Sequence, residues 1–386
     1  MRLLHTSDWH IGRTFHGHST TEALKTVLDA MVQVVRDRQV DVVLVAGDVF
    51  DSATPAAEYY EVLTGTLRAL REAGATVILT SGNHDSATRL GFQSEFAALA
   101  GIHVITESSR HSTPIELTDE HGPVAIYGIP FLEPALLRHH YPDETLRTHE
   151  QVLGFAMRNI RADLASRAGR SVVLSHSFVA NIAEAQTPNL ERDITAGGLD
   201  IVPLSVFDGV DYVALGHIHG RAQLSEGVRY SGAPLHYSFS EAGKPRGGWL
   251  VELGADGLEG VEWVDLPVPR TLTVLTGTLE ELLTSDLYSE HEQHWVSAIV
   301  TDQARPIDGM RRLQARFAWC ATLSHQPLVT ASTETVTYAE RLKSKSDTEI
   351  VDGFLEHVRN GVGATDAERT VIADVIASHS ASEAVA

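Results

Sequence analysis

The chain has 386 residues, of which 43% are hydrophobic and 21% are charged, and its formal net charge is −21. This composition excludes a disordered or fibrous protein, and the length favours a large catalytic domain with one or two smaller modules. The negative charge argues against binding nucleic acid through a broad basic surface, although bound metal cations would keep a nuclease possible. Cys320 is the only cysteine, which excludes an intramolecular disulfide and a thiolate zinc site.

The first residues, MRLLHTSD, are typical of a strand and lack the basic and apolar regions of a signal peptide. No stretch approaches the ~20 apolar residues of a membrane-spanning helix. We therefore expect a cytoplasmic protein.

Strands and helices alternate through the first half of the chain, which predicts an α/β sandwich rather than an all-β or all-α fold. The predicted elements are, in chain order, the strand RLLHTSD, a helix over about 21–38, the strand DVVLVAGD, a helix over 55–72, the strand TVILTSGNHD, a helix over SATRLGFQSEFAALA and the strand IHVI. Later strands, from VAIYGIP to WLVELG, follow without intervening helices. This favours antiparallel additions or a second sheet.

The segment LPVPR ends the series of strands, because its two prolines disfavour a further strand. We therefore place a first domain at 1–267. The following segment, 271–338, mixes strand-like and helical pieces and predicts a small α+β module.

Two amphipathic helices are predicted within the tail, 346–378. Each begins with a capping-box pattern, Ser346 with Glu349 and Thr365 with Glu368. Two short helices have little core of their own, so their apolar stripes need a surface to cover. That surface is either the protein's own body or a partner.

Potential metal ligands stand at the ends of five predicted strands. They are Asp8, His10, Asp48, Asn83, His176, His217 and His219. Because ligand sites of α/β sheets lie outside the carboxyl ends of strands, we expect these residues to converge on one crevice. Taken singly, each is more often a hydrogen-bonded structural residue, so the prediction depends on the whole set.

This donor set contains oxygen and imidazole nitrogen but no sulfur, which suits manganese, iron or zinc and favours manganese. Seven ligands exceed the needs of one ion and suit two ions, roughly 3.5–4 Å apart, bridged by a carboxylate. Such a pair would lower the pKa of a water molecule and neutralise charge on a phosphoryl group, as phosphodiester hydrolysis requires. Four other histidines lie in polar stretches and are predicted to be solvated surface residues: His139, His140, His291 and His294.

The ordered blocks DWH, GDVFD, GNHD, SH and GHIH resemble the calcineurin-like metallophosphoesterase superfamily. The longer segments TSDWHIGRTFHG, GDVFDSATP and GNHDSATRLGF resemble its SbcD family of bacterial nuclease subunits. The resemblance implies a sandwich of two mixed sheets flanked by helices, a small α+β capping domain that contacts DNA, and a C-terminal helical pair. It is strong over roughly the first 265 residues and architectural beyond them.

The resemblance also implies roles for individual residues. One metal ion would be held by Asp8, His10 and His219, and the other by Asn83, His176 and His217, with Asp48 bridging. His84 would contact the scissile phosphate and protonate the leaving oxygen. Asp51 would orient His84, with a helix N-cap or turn role as the alternative. Ser175 stands where many relatives have glycine, so it adds a β-carbon near the site.

The activity that the resemblance implies is exonuclease action on double-stranded DNA and endonuclease action on single strands and hairpins, with Mn²⁺, in repair and recombination. The implied partner is an SMC-like ATPase, SbcC, bound by the C-terminal helices of a homodimer. Two alternatives stay open at this point. The same ligands would serve a phosphodiesterase for nucleotides or other small phosphoesters, and some members of the fold are non-enzymatic scaffolds, against which His84 argues.

Overall fold

The structure is a computed structural model that describes residues 1–180, 201–328, 345–359 and 361–383. The chain divides into two compact units, Met1–Pro269 and Arg270–Ala386. In the described part of the chain, no helix is long and apolar enough to cross a membrane. The predicted end of the α+β module, 329–338, lies outside the described residues.

The first unit is built on two six-stranded mixed sheets. Its strands are β1 (Arg2–Thr6), β2 (Thr14–Phe15), β3 (His18–Ser19), β4 (Val42–Ala46), β5 (Thr76–Thr80), β6 (Ile102–Ile105), β7 (Ile115–Asp119), β8 (Gly122–Ile129), β9 (Arg170–His176), β10 (Val179–Ala180), β11 (Val202–Pro203), β12 (Tyr212–Gly216), β13 (Ala222–Gln223), β14 (Val228–Tyr230), β15 (Gly247–Gly254) and β16 (Gly257–Asp265).

The first sheet has the strand order β16-β15-β1-β4-β5-β6 and the second the order β13-β14-β12-β9-β8-β7. In the first sheet β1, β4, β5 and β6 run parallel, and β15 and β16 are added antiparallel. In the second, β8, β9, β12 and β14 run parallel, with antiparallel strands at both edges. The predicted α/β class with two mixed sheets is therefore confirmed.

Helices cover the outer faces of both sheets. They are α1 (Thr21–Asp37), α2 (Ala57–Glu72), α3 (Ala87–Leu90), α4 (Ser94–Leu99), α5 (Pro134–His140) and α6 (His149–Leu164). The apolar face of α1 packs on the first sheet through Leu24, Val27 and Met31, and α6 contributes Val152 and Ile160 to the core beneath the second sheet. A third cluster fills the space between the sheets and includes Leu44, Ile78, Val172 and Leu174.

Two details differ from the sequence prediction. SATRLGFQSEFAALA is not one helix, because α3 ends before Gly91, and Gln93 takes a left-handed conformation with φ 61° before α4 begins. The strands after IHVI are not free of intervening helices either, since α5 and α6 connect β8 to β9. That connection is what allows β8 and β9 to run parallel.

The second unit contains a three-stranded parallel sheet of β17 (Leu272–Gly277), β18 (Trp295–Val300) and β19 (Cys320–His325). Its helices are α7 (Leu279–Thr284), α8 (Gly309–Arg316), α9 (Asp347–Val358) and α10 (Asp366–Glu383). Leu282, Val296 and Phe317 are fully buried in the small core that α7, β18 and the end of α8 share.

Both predicted capping boxes are present at the tail helices. Ser346 and Glu349 bond each other's main chain at the start of α9. Thr365 and Glu368 do the same at the start of α10, where the N–H of Thr365 donates to Glu368 at 2.8 Å. The two helices are tied together by an ion pair of 2.8 Å between Arg359 and Glu368.

The apolar side chains of these helices stay largely open to solvent. Phe354 and Val358 of α9 are each 51% exposed, and Val371 and Val375 of α10 are 61% and 62% exposed. An exposed apolar face of this kind is typical of a surface that binds a partner.

Glycines allow the two sheets to approach each other at the carboxyl ends of β4 and β12. A β-carbon on Gly216 would lie 1.8 Å from the carbonyl oxygen of Ala46, and one on Gly47 would lie 2.4 Å from Nδ1 of His176. Gly47 also has a φ of +83°, which side chains rarely tolerate. The absence of a side chain at these positions therefore brings His176 against the first sheet.

We predict that Gly216→Ala destabilises the first unit, because the added methyl group meets backbone that cannot move aside. The free energy of unfolding should fall by ~1–3 kcal/mol or more, measured by chemical denaturation. Gly260→Ala is the matched control. Gly260 lies in β16 with nothing within 4 Å of an added β-carbon, so its effect should stay within ~0.5 kcal/mol. Equal effects at both positions would contradict the steric argument.

Candidate metal centre

The structure brings the seven predicted ligands together in one crevice. Asp8 and Asp48 follow β1 and β4 within two residues, Asn83 follows β5, and His176 ends β9. His217 comes directly after β12. These are the carboxyl ends of parallel strands from both sheets, so the residues converge as the topology requires.

Four of these residues have backbone conformations that are costly for a side chain-bearing residue. Asp8, His10, Asp48 and His217 have φ values of 53°, 46°, 49° and 100°. Positive φ values in non-glycine residues persist only where the surrounding structure imposes them, and they cluster at functional sites. Here the positive φ values turn these four side chains away from the strand direction and into the crevice.

One group of ligands, here called the first subsite, consists of Asp8, His10 and His219. Their donor atoms lie within 4.8 Å of one another. Nε2 of His10 and Nε2 of His219 are 3.2 Å apart, so the two ring nitrogens face one common point. Asp8 is held by hydrogen bonds from the hydroxyl of Ser7 and from the N–H of His217, at 2.5 and 3.1 Å.

The other group, here called the second subsite, consists of Asn83, His176 and His217. Oδ1 of Asn83 lies 3.0 Å from Nε2 of His176 and 3.1 Å from Nδ1 of His217. Asp48 stands between the subsites, with Oδ2 3.3 Å from His176 and 3.6 Å from Nε2 of His10. Its position matches that of a carboxylate shared by two ions.

The buried charges of the centre shift one another's protonation. Burial disfavours the charge on Asp48, but His176 and His10 outweigh burial and hold the pKa of Asp48 well below its usual range. Burial also opposes protonation of His176, yet Asp48 and Asp8 raise the pKa of His176 to about 9. Burial and the nearby His176 lower the pKa of His217 to about 4. A proton on His176 therefore balances the carboxylates, and a cation that binds here has to displace it.

His84 lies beside the centre and is fixed by two hydrogen bonds, one from its main chain and one from its ring. Its main-chain N–H donates to Oδ1 of Asp48 at 2.9 Å. Its ring nitrogen Nδ1 lies 2.9 Å from the main-chain carbonyl of Asp51. Because a carbonyl only accepts, Nδ1 carries the proton, and Nε2 is the nitrogen that can face a substrate.

Asp51 does not make the contact that the resemblance implies. Its carboxylate lies 3.1 Å from Nδ1 of His10 and 2.9 Å from Arg13, whereas only its main-chain carbonyl meets His84. His10 and Arg13 lower the pKa of Asp51 against the opposing effect of burial. Asp51 therefore supports a ligand of the first subsite, and the backbone around it positions His84.

Two further carboxylates contribute to the centre that the sequence prediction missed. Asp85 accepts hydrogen bonds from the N–H groups of Gly82, Val49 and Phe50 at 2.8–3.0 Å, and so ties the loop after β4 to the loop after β5. Glu241 lies 3.4 Å from Nδ1 of His219. The motif GNHD contains Asp85 and could have indicated it, but no spacing in the sequence connects Glu241 to His219.

The four histidines predicted to be surface residues divide into two pairs. His139 and His140 are exposed. His291 and His294 are partly buried, with their Nδ1 atoms 3.3 Å apart and His294 2.8 Å from the hydroxyl of Thr273. The prediction of solvated rings is therefore wrong for the second pair, because the two rings pack against each other.

The donor chemistry of the crevice fits two divalent cations. Two carboxylates, an amide oxygen and four imidazoles face inward without any sulfur, which suits ions such as Mn²⁺. Nε2 of His10 and Nε2 of His219 face each other at 3.2 Å, and the other ring nitrogen of each lies beside a carboxylate. Two facing ring nitrogens of this kind are most simply satisfied by a shared cation.

Comparison with known protein families agrees with this chemistry. Residues 1–221 match the family model described as calcineurin-like phosphoesterase. Since the match covers more than half of the chain, the protein belongs to this family and is a metal-dependent phosphoesterase. Residues 268–359 match the SbcD_C model, described as the type 5 capsule protein repressor C-terminal domain. The two matches in this order are consistent with SbcD.

Three solved structures resemble the chain distantly. TT1561 of Thermus thermophilus aligns with a TM-score of 0.40 and 15% identity over 68% of this chain and 98% of its own. A dimetal phosphatase from Danio rerio aligns with a TM-score of 0.39 and 15% identity over 69% and 98%. GAP50, the anchor in the inner membrane complex of Plasmodium, gives 0.39 and 12% over 85% and 98%.

We predict that Mn²⁺ binding releases protons, because the metal needs a neutral imidazole where His176 holds a proton. At pH 7.5 about one proton should leave His176, whose pKa is raised to about 9. Affinity should therefore increase with pH up to about pH 9. Calorimetric titrations in buffers of different ionisation enthalpy measure the proton count.

Matched variants separate this effect from general damage to the centre. His176→Asn should remove the proton release. His217→Asn should weaken binding without changing the count, because the pKa of about 4 leaves the His217 ring neutral at this pH. A wild-type protein that binds Mn²⁺ without releasing a proton would contradict the charge balance described above.

Proposed function

We propose that this protein is the nuclease subunit of a DNA-processing complex in repair and recombination. It would hydrolyse phosphodiester bonds as a 3′-5′ exonuclease on double-stranded DNA and as an endonuclease on single strands and hairpins. The observation that carries the proposal is the presence, in one chain, of a phosphoesterase centre with His84 beside it and a C-terminal region that matches the SbcD_C model.

The six residues of the two subsites and the bridging Asp48 are the proposed metal ligands. Two bound divalent ions, for which we propose Mn²⁺, would lower the pKa of a water nucleophile and neutralise charge on the phosphoryl oxygens. The chain itself supplies orientation. Strained backbone fixes Asp8, His10 and Asp48, and the main chain of Asp51 fixes the ring of His84.

His84 is the proposed general acid. Its Nδ1–H is engaged by the carbonyl of Asp51, so the acid has to be the doubly protonated ring, whose Nε2–H would pass its proton to the departing 3′ oxygen and leave the neutral Nδ1–H form. Since His84 also bonds Asp48 through its main chain, the acid sits at a fixed distance from the proposed bridging carboxylate. An acid held in place in this way loses little conformational freedom when it meets a substrate.

One observation favours a second candidate function, a phosphodiesterase for nucleotides or other small phosphoesters. The chain has 51 acidic residues against 30 Lys and Arg, which does not favour the approach of a DNA backbone. Turnover numbers for a cyclic nucleotide and for a labelled DNA hairpin, measured with the same Mn²⁺-loaded protein, distinguish the two. Preference for the cyclic nucleotide, with and without an ATPase partner, would overturn the nuclease proposal.

We predict that His84→Ala leaves Mn²⁺ binding intact and lowers the rate of DNA cleavage by about 10²–10⁴-fold, because only the proton donor is lost. His140→Ala, at an exposed histidine outside the centre, is the control and should cleave normally. Single-turnover cleavage of a labelled hairpin and a Mn²⁺ titration give the two readouts. Substantial residual cleavage would show that another group, such as water, supplies the proton.

The partner we propose is an SMC-like ATPase of the SbcC kind, bound through α9 and α10. The match to the SbcD_C model ends at residue 359 and so includes α9. The exposed apolar side chains of both helices provide the surface, as described above. A homodimer within a heterotetramer is part of the same proposal and depends on the resemblance alone; sedimentation of the full chain measures it.

We predict that Phe354→Asp or Val371→Asp abolishes binding of the ATPase's coiled-coil base, because each places a charge in an apolar interface. Glu356→Gln, at an exposed polar position of α9, is the matched control. Calorimetry measures binding, and hydrolysis of a small nitrophenyl phosphodiester should stay unchanged in all three variants. Unchanged binding by both Asp variants would place the partner elsewhere on the chain.

A further inference from the structure

Arginine and tryptophan side chains form a row beside the metal centre. Arg229 lies over the ring of Trp249 at 4.7 Å, and Trp249 meets Trp263 edge-on with the ring centroids 4.9 Å apart. Arg221 lies over the ring of Trp263 at 4.8 Å. These four residues are here called the Arg–Trp row. Its inner end is sealed, since Arg229 is 6% exposed, whereas Arg221 at the outer end is open to solvent.

The Arg–Trp row lies at the end of the sheets where the proposed ligands converge. Arg221 follows the ligand His219 by two residues. Trp249 of β15 is paired with His5 of β1, and His5 comes three residues before the ligand Asp8. A group that binds at the metal centre and extends beyond it can therefore reach Arg221.

Trp263 is fixed in place on several sides. It is the cross-strand partner of Trp249, and its indole N–H donates to Asp265 at 2.8 Å. The ring also lies close to the backbone of Gly247, where an added β-carbon would come within 2.8 Å of it. Because the ring is held at its edges and from behind, it gives the guanidinium of Arg221 a rigid surface to stack on.

The charge of Arg221 is not neutralised by a neighbouring carboxylate. Two other arginines near the centre are ion-paired, Arg13 with Asp51 and Arg246 with Glu241. Among the described residues, no acidic group lies within ion-pair distance of Arg221, although the chain has 51 acidic residues against 30 Lys and Arg. Stacking on tryptophan orients a guanidinium without cancelling its charge. The donors of Arg221 therefore remain available to an anion.

We propose that Arg221, positioned by Trp263, binds a backbone phosphate of the DNA strand whose scissile bond lies at the metal centre. The inference rests on the proposed nuclease function and deepens it. A guanidinium matches a phosphate with two parallel hydrogen bonds, and contacts of this kind fix the register of a strand. A small phosphoester has no neighbouring phosphate, so Arg221 would favour a polymer over a nucleotide.

The test measures DNA binding by the Mn²⁺-loaded full chain. A labelled single-stranded oligonucleotide, with phosphorothioate linkages that slow its hydrolysis, is titrated by fluorescence anisotropy at several salt concentrations. Arg221→Gln should weaken binding about 10-fold, because a charge-assisted hydrogen bond is lost. The slope of log affinity against log salt should become shallower by about 0.7, the value for one phosphate contact on a single strand.

Two further variants distinguish a phosphate contact from a structural role. Arg221→Lys should keep the salt slope of the wild type but lose part of the affinity, because the charge stays and the planar fork is lost. Trp263→Leu should weaken binding by about 2–5-fold, since Arg221 keeps its charge and loses its support. Trp263→Phe keeps a ring and should recover most of that loss. A Mn²⁺ titration of each variant shows that the centre is intact.

Arg36→Gln is the matched control. Arg36 is an exposed arginine in the last turn of α1, which precedes β4 and so lies away from the carboxyl ends of the strands. Its replacement should leave both affinity and salt slope unchanged. An unchanged salt slope in Arg221→Gln, or an equal loss in Arg36→Gln, would overturn the proposed contact.

Cleavage of a DNA hairpin, measured on the same proteins, separates this inference from the proposed nuclease function. Cleavage by the wild type together with an unchanged slope in Arg221→Gln would remove the contact and leave the nuclease. Binding that depends on Arg221, in a protein that cleaves no DNA, would do the reverse. A wild-type protein that neither binds nor cleaves DNA would overturn both.

Discussion

The close approach of the two sheets at Ala46 and Gly216 is the constraint on which the whole centre depends. It places His176 of the second sheet against the carbonyl of Ala46 and brings the end of β12 beside Asp8. The cost is that ionisable groups are buried together, with Asp8 0% and Asp48 2% exposed. Such groups are tolerated only when they compensate one another. A cation bound in this crevice would compensate carboxylates that water solvates poorly.

The sequence predicted that these seven residues converge, because each lies within a few residues of a strand end. In a parallel sheet, the direction of the chain decides which edge those residues reach, so local pattern and topology together determine convergence. The same rule could not predict which ligands pair, since His10 meets His219 across a sequence separation of 209. That pairing depends on how the two sheets stack, and only the family resemblance predicted it.

The roles of the supporting residues Glu241 and Asp51 could not be predicted from the sequence, for a different reason. Glu241 lies in a short 3₁₀ turn, Phe239–Glu241, that has no periodic pattern. The resemblance implied that the Asp51 carboxylate orients His84, whereas the structure places the carboxylate beside His10 and only the main-chain carbonyl of Asp51 beside His84. Gly91 indicates a break between α3 and α4, but the apolar residues on either side of it have the spacing of one continuous helix.

The distribution of charge bears on why the chain should need a partner. The chain has 51 acidic residues against 30 Lys and Arg, so its net negative charge repels DNA. Salt screens this repulsion at separations beyond about a Debye length, ~8–10 Å. Two bound divalent ions reverse the field locally, at the distance where chemistry occurs. They do not supply the many phosphate contacts that hold a duplex. The proposed nuclease would therefore need a second protein to bring DNA within reach, and we propose the exposed apolar face of α9 and α10 as the surface where that protein attaches.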